Sequence, residues 1–209
     1  MLHFIASCVI LLSIKKGGHF MATGTEVEFR TLLTKEEYTK LINKFKGMKQ
    51  DVQTNHYFDT QRFSLKATDA SLRVRERTEL ELTLKKKKGY NIQYFSQPIN
   101  QEEFDTIKET GVLLDCELAI EVQNIIGSQK VINFMSLTTD RVYLPYSNGI
   151  LFIDKSTYLG VTDYELEYDA KNYHSGKSEF IAIINEFGIQ YKKAEKKIKR
   201  AYAQFRKML

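Results

Sequence analysis

Cysteine and proline are scarce in this chain, two of each in 209 residues, and tryptophan is missing altogether. Two cysteines, Cys8 and Cys116, cannot build a disulfide framework, and so small a number suits a reducing cytoplasm. With two prolines and eleven glycines there is no low-complexity linker, and no solenoid-type repeat recurs. The four histidines (His3, His19, His56, His174) are scattered without metal-ligand spacing, which argues against a zinc site. No apolar run reaches the about 20 residues that span a bilayer, so no membrane partner is expected. Acidic residues are slightly outnumbered, 26 against 31 basic ones, a net charge of +5. That balance suits an anionic small molecule and falls short of a nucleic-acid footprint. The length predicts one sizeable domain.

The first twenty residues stand apart. Leu2 to Ile14 is mostly apolar, yet it lacks the basic start and the cleavage site of a signal peptide. Lys16-Gly17-Gly18 can be encoded by codons that contain a bacterial ribosome-binding sequence, with His19-Phe20 as the spacer before Met21. Residues 1–20 therefore read as a non-native extension upstream of a start at Met21, with 21–209 as a single domain. A weak membrane anchor is the other reading of this stretch.

The rest is a succession of short strands broken by a few helices. Glu26-Val27-Glu28-Phe29-Arg30 alternates, placing Glu26, Glu28 and Arg30 on one face and Val27 and Phe29 on the other. Thr34 and Glu37 form a capping box for a helix predicted to run to about Gly47. Strands are predicted over Gln53 to Asp59, Ser71 to Arg77 and Glu79 to Lys85, with a hairpin turn at Gly89 and a further strand over Tyr90 to Ile99. Asn100 and Glu103 cap a short helix that Gly111 stops. Glu117 to Gln123, Ser128 to Leu137, Thr138 to Leu144, Ile150 to Ser156 and Asp163 to Asp169 all read as strands. Two helices close the chain, one over Ser175 to Phe187 and one basic and amphipathic. Without regular βαβ alternation, this is an α+β protein with an antiparallel sheet.

The charges on these strands are sorted by sign. Acidic positions fall on the first and last strands (Glu26, Glu28, Glu165, Glu167), with Asp154 nearby, and basic positions fall between them (Arg73, Arg75, Lys85, Arg141). Any single pair of this kind is ordinarily a wet strand face. Read together, the set predicts a sheet curled closed, its charged lumen holding a divalent metal and a polyphosphate. Carboxylates suit Mg²⁺ or Mn²⁺, and Arg forks suit phosphate oxygens. Lys197 and Arg200, three residues apart on the last helix, are further candidates for a phosphate. Other chemistries fail: Ser175-Gly176-Lys177-Ser178 lacks the upstream Gly of a P-loop, and there is no G-x-S-x-G elbow.

The ordered motifs resemble the CYTH domains, also called triphosphate tunnel metalloenzymes. They are Glu26-x-Glu28-x-Arg30 (Arg where the family usually has Lys), Tyr57-Phe58-Asp59-Thr60, Leu72-Arg73-x-Arg75, Leu82-Thr83-Leu84-Lys85, Thr139-x-Arg141, Asp154-Lys155 and Gly160-x-x-Asp163-Tyr164-Glu165-Leu166-Glu167. The resemblance covers roughly Thr25 to Arg200. Some relatives carry a Lys two residues after the aspartate of the penultimate strand, where Ser156 stands here.

The resemblance implies an eight-stranded antiparallel β-barrel, a tunnel, with helices packed outside. It also implies Mg²⁺ or Mn²⁺ on Glu26, Glu28, Asp154, Glu165 and Glu167. A triphosphate would then lie on Arg30, Arg73, Arg75, Lys85, Arg141, Lys197 and Arg200, with Glu26, Glu28 and Arg75 catalytic. The expected activity is metal-dependent hydrolysis of inorganic triphosphate or a small organic triphosphate by a cytoplasmic bacterial protein. Class IV-type adenylate cyclisation and non-catalytic polyphosphate or nucleotide sensing are the alternatives. Oligomeric state and physiological substrate are left open.

Overall fold

The computed structural model describes residues 11–14, 20–23, 27–88 and 91–208. Glu26, the Gly89 turn and most of residues 1–20 lie outside the described residues. The elements in order are β1 (Leu11–Ile14), β2 (Phe20–Thr23), β3 (Val27–Leu33), α1 (Lys35–Lys44), β4 (Lys49–Thr60), α2 (Ser64–Ala67), β5 (Ala70–Glu76), β6 (Leu80–Lys88) and β7 (Asn91–Ile99). They continue as α3 (Gln101–Thr110), α4 (Glu117–Ile126), β8 (Val131–Tyr146), β9 (Gly149–Tyr158), β10 (Val161–Ala170), α5 (Tyr173–Glu186) and α6 (Lys197–Met208).

The expected closed barrel does not form. The strands follow one linear order, β1-β2-β7-β6-β5-β4-β8-β9-β10-β3, with β1 and β3 at its ends. Eight of them, β3 to β10, come from the chain beyond residue 26, and their sheet is antiparallel and open. Closure needs the two end strands to exchange backbone hydrogen bonds. Here β3 pairs with β10, and its other edge is taken by the segment before α6. Leu32 N–H donates to the carbonyl of Lys192 at 3.3 Å, and Thr31 makes an isolated bridge with Lys193. At the other end the order runs on from β7 into β2, through Thr23 and Gln93.

The chain divides into two compact units, one containing residues 54–136 and the other residues 26–53 with 137–209. Each has its own core. In the first, Leu72, Val74, Leu82, Leu84 and Phe95 from the strands meet Phe104 and Ile107 of α3 and Leu118, Val122 and Ile126 of α4. In the second, Leu144, Leu151, Ile153, Leu166 and Tyr168 meet Leu41 of α1 and Phe180, Ile183 and Ile184 of α5. Burying each such side chain contributes about 1.5–3 kcal/mol, so the apolar strand faces are where the helices must lie. On β5, β6 and β10 the alternation separates core residues (Leu72, Val74, Leu82, Leu84, Leu166, Tyr168) from a face that carries Arg73, Arg75, Lys85, Glu165 and Glu167.

Both predicted capping boxes are present. Glu37 N–H donates to Thr34 Oγ1 at 3.1 Å and Glu103 N–H to Asn100 Oδ1 at 2.9 Å, and both carboxylates reach back to the cap N–H. Gly111 ends α3 in the left-handed region, φ 68°, as its lack of a Cβ allows.

Glu117 to Gln123 is corrected from strand to helix. Leu118, Ala119, Val122 and Ile126 are its buried residues, a helical spacing, and Cys116 caps it by accepting from Ala119 N–H. Ser128 to Leu137 and Thr138 to Leu144 are one continuous strand, β8. The short α2 was not foreseen; the Asp59 carboxylate anchors it by accepting from the N–H groups of Leu65 and Lys66.

Gly176, read first as part of a failed P-loop, is a packing residue. A Cβ there would lie 2.3 Å from Ala170 Cβ and 2.8 Å from Phe29 Cε2, so α5 can approach β10 and β3 only with glycine.

Candidate active site

In the second unit, register brings the charged residues together. On β10, Glu165 stands opposite Asp154 of β9 and Glu167 opposite Arg30 of β3, while Arg141 of β8 stands opposite Asp154. Asp154 and Glu165 are wholly buried and Glu167 is 7 % exposed. Like charges directly across a ladder repel, and buried ones are tolerable only with partners.

The partners are cations. Arg141 donates to both carboxylate oxygens of Asp154 (2.7 and 2.6 Å) and to Glu167 at 2.7 Å. Lys197, in the first turn of α6, places its Nζ 2.8 Å from Asp154, 2.9 Å from Glu165 and 2.8 Å from Glu167. Arg200, one turn on, pairs with Asp163 at 2.9 Å and with Glu165 at 2.5 Å. Arg30 pairs with Glu28 and stands 3.6 Å from Glu167.

The electrostatics follow from these neighbours. Burial, then the adjacent Glu167, push Glu165 up to about 8. Burial also works against charge on Glu167, but Lys197, Glu165, Arg141 and Arg30 together hold it well below the usual carboxylate range. Burial opposes charge on Arg141, Lys197 and Arg200 as well, and the carboxylates overcome it and raise all three.

The first unit carries the opposite character. Arg73 and Arg75 of β5 stand opposite Tyr57 and Asn55 of β4 on one side, and opposite Thr83 and Glu81 of β6 on the other. Arg75 Nε donates to Asn55 Oδ1 at 3.3 Å, whereas the buried Nε of Arg73 has no hydrogen-bond partner among the described residues. Burial, and after it the charges of Arg73 and Arg77, bring Arg75 down to about 9. Lys85 lies with its Nζ 4.5 Å from the centroid of the Tyr94 ring.

The structure therefore splits the expected site residues into two sets. Glu28, Arg30, Arg141, Asp154, Glu165, Glu167, Lys197 and Arg200 meet in one unit; Arg73, Arg75 and Lys85 share a sheet face in the other. Glu26 lies outside the described residues. Arg141, Lys197 and Arg200, expected on phosphate, are here engaged by carboxylates.

Sequence reasoning gave no role to three residues. Asp163 was quoted in a motif only, although it shares the parity of Glu165 and Glu167; Asn55 and Glu81 lie at matching positions beside Arg75.

As donors, Asp154, Glu165 and Glu167 fit a hard divalent cation, and they already converge on one cationic atom, Lys197 Nζ. Among the described residues no group of three or more Asp, Glu, His or Cys side chains stands ready to hold a metal ion.

An open antiparallel sheet carries the acid–base cluster in one unit and the Arg73–Arg75 pair in the other, the framework of an α+β protein. Residues 24–202 match the CYTH domain model, and the chain belongs to that family.

A Bacillus subtilis (strain 168) protein named "Putative triphosphatase YjbK" is 30 % identical over 196 residues, covering 90 % of this chain and all of the relative. A crystal structure from Bacillus halodurans, described as "a putative adenylate cyclase", is 29 % identical with a TM-score of 0.76, covering 84 % of this chain and 96 % of that one. HpAC1 from Hippeastrum, described as a "putative adenylyl cyclase" that reveals a dominant triphosphatase activity, is 21 % identical with a TM-score of 0.68. It covers 88 % of this chain and 96 % of that one and shares the fold. No helix among the described residues is long and apolar enough to cross a membrane.

Proposed function

We propose that this protein hydrolyses inorganic triphosphate, or a small organic triphosphate, to the diphosphate and phosphate, using Mg²⁺ or Mn²⁺. The observation that carries the reading is the Arg73–Arg75 pair: two neighbouring guanidiniums, with a buried Arg73 Nε that finds no acceptor among the described residues. Such a pair is completed by an anion with several oxygens, and Arg forks meet phosphate bidentately. CYTH membership and the relative named as a triphosphatase support the choice of a triphosphate.

In this reading Arg73, Arg75 and Lys85 take the phosphate oxygens, with Arg30, Arg141, Lys197 and Arg200 adding positive charge. Glu26, Glu28, Asp154, Glu165 and Glu167 would hold the divalent ion, which when bound supplies charge neutralisation at the transferring phosphoryl group. Water attacks the terminal phosphorus in line, and the fixed guanidiniums stabilise the charge spread over its equatorial oxygens.

Phosphate release from tripolyphosphate, ATP and thiamine triphosphate, with each metal, tests the reading. Wild-type protein is expected to turn over at least one of them. Arg75→Gln should lose about 10²-fold or more in kcat/KM with its circular dichroism unchanged. An Arg75→Gln variant at the wild-type rate removes Arg75 from the mechanism. Silence with all three substrates overturns hydrolysis and points to sensing.

Cyclisation of ATP, with the 3′-hydroxyl attacking the α-phosphorus and diphosphate leaving, is favoured by a different feature. Tyr143 and Phe152 form an aromatic pair, centroids 6.2 Å apart, and the Arg141 guanidinium lies 4.2 Å from the Phe152 ring centroid. Phe152 is buried, so Tyr143 is the ring of this pair on which a nucleobase would stack. Cyclic AMP formed from ATP would select this reading.

A further inference from the structure

We infer that Lys197 is an exchangeable internal cation: it holds the position of the divalent ion in the metal-free protein and leaves it when the ion binds. The inference rests on the proposed use of a divalent metal and concerns this chain's own lysine. Three carboxylates from two strands point at one atom, Lys197 Nζ, at 2.8, 2.9 and 2.8 Å. Two of them, Asp154 and Glu165, stand directly opposite each other on adjacent strands and are wholly buried, an arrangement that is unfavourable without a cation between them.

Charge favours exchange over simple addition of an ion. Among the described residues, Glu28, Asp154, Asp163, Glu165 and Glu167 are ion-paired with Arg30, Arg141, Lys197 and Arg200. Exchanging Lys197 for a divalent ion adds one positive charge to the cluster, whereas adding the ion beside Lys197 would add two.

Geometry gives the same answer. Mg²⁺ needs oxygens at about 2.0–2.1 Å, so an ion held by all three carboxylates would occupy the point on which they converge, where Lys197 Nζ now stands. Lys197 sits in the first turn of α6, on a flexible side chain at a helix start, so it can withdraw without unwinding the helix. Arg141, bonded to both oxygens of Asp154, has no such freedom.

The test is Mn²⁺ binding, by calorimetry, to full-length protein without phosphate ligands. Lys197→Met, which removes the competing charge, should bind Mn²⁺ about tenfold tighter than wild type, and Lys197→Arg should bind no tighter than wild type. Equal affinity in wild type and Lys197→Met would overturn the exchange and leave Lys197 as an anchor for α6.

A second measurement covers the case in which Lys197→Met does not fold. In the wild-type chain, acetylation of Lys197 read by mass spectrometry should rise several-fold on saturation with Mn²⁺. Unchanged reactivity with Mn²⁺ bound would overturn the inference. Absence of Mn²⁺ binding from every form would overturn it together with the metal assignment, while phosphate release from tripolyphosphate reports separately on hydrolysis.

Discussion

Arg75 and Glu165 are the two side chains whose surroundings most disfavour their charge, and each has a measurable consequence. Arg75 is buried beside Arg73, so an added polyanion relieves both desolvation and repulsion. Tripolyphosphate at about 100 times its Kd should stabilise the protein by about 2.7 kcal/mol, read as a rise in melting temperature. Arg75→Gln should melt higher than wild type without ligand and lose most of the ligand-induced rise; an undiminished rise would remove Arg75 from the anion site. Glu165 is pushed up to about 8 in the folded protein, above the ordinary carboxylate value of 4.5 that it has in the unfolded chain. Its contribution to stability is therefore full below pH 4.5 and is lost as pH rises through about 8, at no more than about 1.4 kcal/mol per pH unit. Glu165→Gln lacks this loss. Urea unfolding in EDTA at several pH values should show the variant gaining on wild type as pH rises, and a constant difference would contradict the assignment.

At the scale of elements, β3 is the exposed point of the design. It carries Glu28 and Arg30, pairs with a strand on one side only, and is held from behind by α5 through the Gly176 contact. Gly176→Ala gains about 1 kcal/mol in helix propensity and loses about 1–3 kcal/mol by overpacking. The blocked atoms are Ala170 Cβ and a ring edge of Phe29, neither the far end of a flexible chain, so the clash should win. The expected result is a lower melting temperature and weaker Mn²⁺ binding; a variant that melts higher would show that α5 shifts freely. Element reading from sequence worked where a local signal existed. The capping boxes at Thr34 and Asn100 and the alternation of β5 were legible because neighbours along the chain decide them. Glu117 to Gln123 misled because Leu118, Ile120 and Val122 also alternate, yet Ile120 faces solvent at 55 % exposure and the helical set is buried.

On the scale of the whole molecule, the two cores belong to different units, and Leu166, fully buried in the second, tests their separateness. Leu166→Ala should cost about 2–5 kcal/mol, and hydrogen exchange should lose protection chiefly within residues 26–53 and 137–209. Equal loss over residues 54–136 would show one cooperative core. The sequence by itself determined the α+β class, the helix starts, the two-faced strands and the sorting of charge, since each is set by residues close along the chain. It also carried the motifs by which the chain belongs to the CYTH family. Tertiary structure decided three things that strand parity cannot express. The sheet is open, because the Lys192–Lys193 segment, more than 150 residues downstream, takes the edge of β3 that closure would need. The carboxylates are partnered with Arg141, Lys197 and Arg200, because register across β8, β9 and β10 and the placement of α6 bring those ions within hydrogen-bonding distance. Arg73 and Arg75 are left under-compensated, because their ladder neighbours supply an amide, two hydroxyls and one carboxylate in place of a matching set of anions.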